Sequence, residues 1–244
     1  MATRSRFYRD VSVVSQGQGY RVLLDGKPVL TPAGAELAIP ARALAEAIAE
    51  EWRSQGDKVR PDTMILTKLA NTAIDRVAVH RRTAIAQVMS FARSDLLCYR
   101  AEAPEALVQL QHRVWDPILD WARDRYGAAL ACGTGIGFVE QAPESLTALE
   151  QAIDHYDSFG LAALQAATIL LGSVVIALAL AEQRLPPAEA FAAAHLDENY
   201  QADKWGRDFE AEKLREGKQI ELFEIAKFLR VLQETSSTLS APES

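Results

Sequence analysis

Cysteine and histidine are scarce in this sequence, and acidic residues outnumber basic ones. The two cysteines, Cys98 and Cys132, are at neither a CxxC nor a zinc-ligand spacing, which argues against a disulfide framework and a structural zinc site. The four histidines form no HxxxH, HExxH or ExxH pattern. A formal net charge of −7 disfavours binding to nucleic-acid backbones. We therefore expect no metal, no cofactor and no nucleic-acid partner.

Motifs of nucleotide binding, nucleophilic catalysis and secretion are missing as well. The stretch GTGIG at residues 133–137 lacks the GK[ST] of a phosphate loop and the GxGxxG order, so we interpret it as a flexible edge strand or a turn. There is no GxSxG elbow, and Cys98 has apolar neighbours that favour an inert buried thiol over a nucleophile. The start of the chain, MATRSRFYRD, has no apolar run and predicts no secretory signal.

Formal charge is absent from residues 158–181, a run of 24 residues that is long enough to cross a bilayer. The run is rich in alanine, includes Gln165, Thr168 and Ser173, and has no aromatic belt at its far end. A helix that is apolar on all sides also suits the centre of a helical bundle. We favour this buried helix over a membrane span and expect no integral membrane insertion.

Hydrophobic periodicity changes near Pro40. Before it, short runs rich in aromatic and β-branched residues alternate with the turns QGQG, DGKP and TPAG, which predicts three or four antiparallel strands. After it, Leu44, Ile48 and Trp52 recur four apart on a helical face, and a long helix is predicted over residues 104–127, kinked or divided at Pro117.

The predicted fold class is therefore α+β. A small antiparallel β-rich N-terminal domain, residues 1–40 or at most about 1–60, precedes a larger α-helical bundle domain, residues 41–234, and a flexible tail, residues 235–244.

The segment HLDENYQADKWGRDFEAEKLR, residues 195–215, combines carboxylates with large aromatic side chains. At about 100° per residue on a single helix, one sector contains the following side chains: Asp197, Glu198, Gln201, Trp205, Asp208, Phe209 and Glu212. Acids beside aromatics suit a surface that docks an Arg- or Lys-bearing partner. Alternatively, the aromatics anchor the helix to the bundle and the acids fringe it, and Gly206 could break the helix.

Seven sequence blocks resemble one protein family, the chaperones that assemble the F-type ATP synthase and attend the α subunit of its catalytic sector. They lie between residues 6 and 212, in the family's order: FYRDVSV, GYRVLLDGKPVLTPAG, LAEAIAEEWRSQG, LTKLANTAID, SDLLCYRAEAPEALVQLQHRVWDPILDW, LAALQAATILLGSVVIALAL and DENYQADKWGRDFEA. Ile65 departs from the family pattern, which has proline there, and puts the start of that helix in doubt.

The resemblance implies a soluble, non-enzymatic chaperone with the two-part fold described above. Such proteins bind the free α subunit and prevent its aggregation before it pairs with β. They reside in the cytoplasm of bacteria or, as processed chains, in the mitochondrial matrix. The family's acidic motif implies partner contacts here by Asp197, Glu198, Tyr200, Gln201, Trp205 and Asp208.

Three further positions match the family motif: Glu51, Trp52 and Gly206. For Trp52 we favour burial against the sheet or bundle over contact with a partner. An alternative function from another class is a small-molecule enzyme that uses carboxylates of the 197–212 helix as general acid or base.

Overall fold

The computed structural model describes residues 4–17, 19–205 and 209–234. Its strands are β1 (Arg4–Ser5), β2 (Val11–Gln16), β3 (Gly19–Leu24), β4 (Lys27–Pro28), β5 (Lys58–Val59), β6 (Tyr99–Arg100) and β7 (Gly133–Thr134). Its helices are α1 (Arg42–Arg53), α2 (Ile65–Thr72), α3 (Arg81–Ala92), α4 (Glu105–Tyr126), α5 (Pro143–Asp154), α6 (Ser158–Leu171), α7 (Val174–Ala181), α8 (Pro187–Ala194), α9 (Leu196–Trp205) and α10 (Phe209–Gln233). A small antiparallel sheet is followed by a helical region, so the predicted fold class is confirmed.

Contacts divide the described residues into two compact units. Unit 1 takes its residues from Met1–Arg81, Ser158–Ala163 and Lys227–Ser244, and unit 2 takes them from Arg82–Asp157 and Leu164–Ala226. Both units therefore contain helix from the second half of the chain, because α6 and α10 each contribute residues to both.

The sheet of unit 1 consists of β2, β3 and β4 in antiparallel order. The predicted strand FYRDVSVVS forms ladder pairs only from Val11 onwards, opposite Leu24. The backbone N–H groups of Arg9 and Asp10 instead donate to Oδ1 of Asp25 at 3.0 and 2.8 Å. These two hydrogen bonds favour the ionised carboxylate and lower the pKa of Asp25.

Helix α1 covers this sheet through the face that its sequence period predicts. Leu44 and Ile48 are completely buried, and α1 packs against β2 and β3. A three-stranded sheet of this size is stable only when an apolar layer covers one face. Elsewhere in unit 1, the rings of Phe159 and Phe228 stack with centroids 6.4 Å apart.

Unit 2 is built around α7, whose eight residues are all buried. It packs against α4 and α8, and Trp115 of α4 donates its indole N–H to the carbonyl oxygen of Ala193 at 2.9 Å. The predicted helix over residues 104–127 is present as α4, but Pro117 does not divide it. The helix continues on both sides of Pro117, although proline has no backbone N–H to donate.

The structure corrects the prediction of one helix over residues 158–181. Gly172, with φ of 66°, and Ser173 separate α6 from α7. Ser173 accepts a hydrogen bond from the N–H of Ile176 and thereby caps α7. Burial is confirmed for α7. Within the described part of the chain, no helix has the length and hydropathy needed to cross a membrane.

The break between α6 and α7 depends on Asp95, which is completely buried. Its Oδ2 accepts hydrogen bonds from the N–H groups of Val174 and Val175 at 2.8 and 3.2 Å. Its Oδ1 accepts from the N–H of Leu97 at 3.1 Å. The carboxylate therefore satisfies donors at the start of α7 that would otherwise be buried without a partner.

Candidate functional site

Helix α9 carries most of the family's acidic motif and packs against α4 and α8 within unit 2. Leu196, the first residue of the helix, is buried. Asp197 and Glu198 occupy its first turn and Lys204 its last, as the helix dipole favours. The predicted contact residues of α9 lie in three different surroundings.

Asp197 faces α4 and is partly buried. Its Oδ1 accepts a hydrogen bond from Nε2 of Gln111 at 2.8 Å. Gln111 is only 1% exposed, and its Oε1 accepts from the backbone N–H of Ala101 at 2.8 Å. The carboxylate of Asp197 therefore satisfies a buried amide and fixes α9 to α4, which the sequence pattern did not indicate.

Tyr200 lines a cavity of about 570 Å³ between α4, α7, α8 and α9, which we call the Tyr200 groove. Most of its lining is apolar, including Leu110, Pro117 and Trp121 of α4. Within the described part of the chain, the hydroxyl of Tyr200 and Oδ1 of Asn199 are buried without a hydrogen-bond partner. The groove thus presents two polar atoms that a bound peptide or a water molecule could satisfy.

Glu198, Gln201 and Trp205 line a second cavity, of about 530 Å³, which we call the Trp205 groove. Its opposite wall is the first part of α10, including Glu212 and Leu214. The helical projection placed Glu198, Gln201, Trp205 and Glu212 in one sector, and the structure brings them together, although across two helices. The indole of Trp205 is 89% exposed, so it does not anchor α9 to the core.

The Trp205 groove carries charges of both signs, since Arg215 and Lys218 line it together with Glu198. His195, at the end of α8, also faces it, and its ring stacks on Phe191 with centroids 4.1 Å apart. Burial is the main cause that lowers the pKa of His195, which favours a neutral imidazole. The groove therefore combines the aromatic rings of His195 and Trp205 with acidic and basic side chains.

Two predicted positions, Gly206 and Asp208, lie outside the described residues. The single helix projected over residues 195–215 is replaced by α9 and α10. Of the predicted contact residues that the structure describes, Glu198, Gln201 and Trp205 share one groove, Tyr200 lines the other, and Asp197 bonds to Gln111.

Glu51 is placed in unit 1, where it caps α2. Its Oε1 accepts from the N–H of Leu66 at 2.7 Å, and its Oε2 accepts from the N–H and the hydroxyl of Thr67 at 2.8 and 2.7 Å. Met64, at the N-cap position, offers no side-chain acceptor. Helix α2 begins at Ile65, so the missing family proline does not prevent it from starting there.

Trp52 is partly buried against Tyr8, with ring centroids 5.6 Å apart in an edge-to-face arrangement. The hydroxyl of Tyr8 donates to the carbonyl oxygen of Trp52 at 2.7 Å. Burial raises the pKa of Tyr8, so this hydroxyl keeps its proton. The pair joins the segment before β2 to the end of α1.

The glycine-rich stretch GTGIG, residues 133–137, begins with a short strand. Gly133 and Thr134 form β7, which pairs in parallel with β6, and the N–H of Gly135 donates to the carbonyl oxygen of Arg100 at 2.9 Å. Within the described ranges, no three acidic, histidine or cysteine side chains cluster in a way that could hold a metal ion.

A family model described as ATP12 chaperone protein matches residues 5–123. The crystal structure of Atp12 from Paracoccus denitrificans is similar to this chain at 38% identity and a TM-score of 0.88, covering 93% of this chain and 98% of that one. The structure of Atu1473, a putative chaperone from Agrobacterium tumefaciens, is similar at 42% identity and a TM-score of 0.90, covering 96% of this chain and 87% of that one.

A more distant relative is the mitochondrial protein atp12 of Schizosaccharomyces pombe. It is 24% identical over 213 residues, which cover 82% of this chain and 73% of that protein. With 82% or more of this chain covered in each of these three matches, the similarity extends over both units.

Proposed function

The chain belongs to the ATP12 chaperone family, and we propose that it assists assembly of the F-type ATP synthase by binding the free α subunit of the catalytic sector. In this role it prevents α from aggregating before α pairs with β. An unpaired subunit exposes a large apolar interface, which self-associates unless another protein covers it. The function requires no catalysis, and we infer that the protein is not an enzyme.

The observation that carries the proposal is the exposed indole of Trp205 beside the carboxylate of Glu198 in one groove. Tryptophan dominates binding energy at many protein interfaces because it buries a large area with little loss of conformational entropy. Among the acidic and basic side chains that line this groove, the carboxylate of Glu198 is able to pair with an arginine or lysine of a partner segment. Family membership supports a role in ATP synthase assembly, and the groove is a surface suited to binding a protein partner.

The proposed location follows from the family as well. We infer the cytoplasm if the chain is bacterial, and the mitochondrial matrix if it is a processed eukaryotic chain. A mitochondrial relative is among the similar proteins.

Co-purification tests the proposal. Tagged chain is expressed with free α or with free β from the same organism, and the retained subunit is quantified. We expect α to be retained and β not, and we expect α to remain in the supernatant only when the chain is present. The interaction should weaken at high salt, because salt screens the charges at the groove rim.

Two variants localise the contact. Glu198→Gln removes a charge from the Trp205 groove, and we expect it to reduce retention of α. Glu216→Gln is the matched control, because Glu216 is exposed on α10 but does not line the groove. Equal retention by both variants would place the contact elsewhere. If the chain retains neither subunit at low or moderate salt, the enzyme alternative based on the carboxylates of residues 197–212 becomes the better account.

A further inference from the structure

The only two cysteines of the chain lie next to each other in unit 2. Strands β6 and β7 pair in parallel, with Tyr99 opposite Gly133 and Arg100 opposite Thr134. Extending this register by one residue puts Cys98 opposite Cys132. Neighbouring strands are about 4.8 Å apart, and the α-carbons of a disulfide are about 4.4–6.8 Å apart. The two thiols are also within hydrogen-bonding reach of each other.

The two cysteines differ in access to solvent. Cys98 is completely buried, whereas Cys132 is exposed. A reagent from solution therefore reaches the sulfur of Cys132 first. The Sγ of Cys132 also lies 3.8 Å from the carbonyl oxygen of Leu97, so the segment before β7 is in contact with the segment that contains Cys98.

Arg100 places a fixed positive charge beside Cys132. Its Nη2 lies 3.8 Å from Sγ of Cys132 and 2.7 Å from Oδ1 of Asp116. The guanidinium is only 6% exposed and lies 5.2 Å from the ring centroid of Trp115, which restricts its movement. Within the described part of the chain, its Nε and Nη1 are buried without a hydrogen-bond partner.

These surroundings shift the pKa values of the two thiols in opposite directions. The hydrogen bond from Cys98, aided by Arg100, lowers the pKa of Cys132 to about 6. The same hydrogen bond, together with burial, raises the pKa of Cys98. Near neutral pH, Cys132 is the nucleophilic thiolate and Cys98 retains its proton.

We propose that Cys132 is a hydroperoxide-reactive thiolate and that Cys98 converts its oxidised form into an intramolecular disulfide. In the first step the Cys132 thiolate attacks one peroxide oxygen, the O–O bond breaks, and the sulfur becomes a sulfenic acid. The second oxygen leaves as hydroxide or alkoxide and takes a proton from the solvent to become water or an alcohol. Two electrons pass from the sulfur to the peroxide.

In the second step the sulfur of Cys98 attacks the sulfur of Cys132. The S–S bond forms, the S–O bond breaks, and the hydroxyl group leaves as water with the proton of Cys98. The disulfide joins the segments that precede β6 and β7, and a dithiol reductant restores both thiols by exchange.

Intact-mass analysis after treatment with hydrogen peroxide tests the proposal. We expect the protein to lose the mass of two hydrogen atoms, and to lose both of its alkylatable thiols after denaturation in iodoacetamide. Both losses should be reversed by dithiothreitol. The product should be monomeric, and tryptic mapping should recover a peptide pair joined through Cys98 and Cys132.

Two variants separate the roles of the sulfurs. Cys98→Ala should stop at the sulfenic acid of Cys132, which gains one oxygen and reacts with dimedone. Cys132→Ser should leave Cys98 reduced under the same peroxide treatment. The proposal is overturned if the unmodified chain gains oxygen atoms on Cys132 while Cys98 remains alkylatable, if it forms disulfide-linked dimers instead, or if neither sulfur reacts.

Discussion

Replacement of Asp95 by alanine tests why the long apolar segment forms two helices. The side chain is completely buried and accepts hydrogen bonds from the backbone N–H groups of Leu97, Val174 and Val175. Each buried donor left without an acceptor costs about 1–3 kcal/mol. Three such donors predict that Asp95→Ala lowers the free energy of unfolding by about 3 kcal/mol or more, a large share of the ~5–15 kcal/mol of a typical domain.

The same carboxyl group should make stability depend on pH. Burial outweighs the hydrogen bonds from Ser173 and the backbone, and raises the pKa of Asp95 to about 6. The folded protein therefore binds this proton more tightly than the unfolded chain does. The stabilisation that protonated Asp95 provides is present at low pH and is lost as pH rises through the folded pKa. From the usual aspartate pKa of 3.8, linkage gives a loss of about 2 kcal/mol between about pH 4 and about pH 7.

Urea unfolding monitored by tryptophan fluorescence measures both effects, because Trp115 is buried in the same unit. Asp95→Asn, which does not titrate, serves as the matched reference at each pH. We expect the stability of the unmodified chain relative to Asp95→Asn to decrease with rising pH. A constant difference, or one that increases with pH, would contradict this expectation, since it would mean that the hydrogen bonds at the start of α7 stabilise the ionised carboxylate at least as much as burial penalises it.

Three further substitutions have separate expected outcomes. Glu51→Ala should lower the free energy of unfolding by about 2–3 kcal/mol, because three hydrogen bonds at the start of α2 are lost. In the same urea titration the control Glu50→Ala, on the exposed face of α1, should change it by less than about 0.5 kcal/mol. Asp197→Ala should cost about 1–3 kcal/mol by leaving the buried amide of Gln111 without its acceptor, and equal stability of the two proteins would contradict that role. Trp52→Arg should lower the melting temperature before it affects partner binding; an unchanged melting temperature with binding lost would show that Trp52 is a contact residue.

The sequence predicted those helices and strands whose hydrophobic residues recur at a regular spacing. The spacing of Leu44 and Ile48 matches the buried face of α1, and the turn residues between β2, β3 and β4 were recognisable from composition. The break at Gly172 was missed because an uncharged run has no period to interrupt. Its cause, Asp95, lies about 80 residues away in sequence, and only the tertiary structure brings the two together.

The site shows the same division between local and long-range information. The projection grouped Glu198, Gln201 and Trp205, and they line one groove because they all belong to α9. It could not separate Asp197 from them, since the partner of Asp197 is on α4. The opposite wall of the groove comes from α10, which a single-helix projection does not contain.

We propose that this chain holds the free α subunit through the Trp205 groove. The most direct measurement is the dissociation constant for isolated α, determined by calorimetry for the unmodified chain, for Trp205→Ala and for Ile220→Ala. Ile220 is the matched control, because it is an exposed apolar residue of α10 that does not line the groove.

We expect Trp205→Ala to leave the melting temperature unchanged, because the Trp205 side chain is exposed. The substitution should weaken binding of α by about 30-fold or more, the effect of a residue that contributes about 2 kcal/mol at an interface. Ile220→Ala should bind α as tightly as the unmodified chain. Full affinity in Trp205→Ala, or equal losses of affinity in both variants, would show that α does not bind through the Trp205 groove.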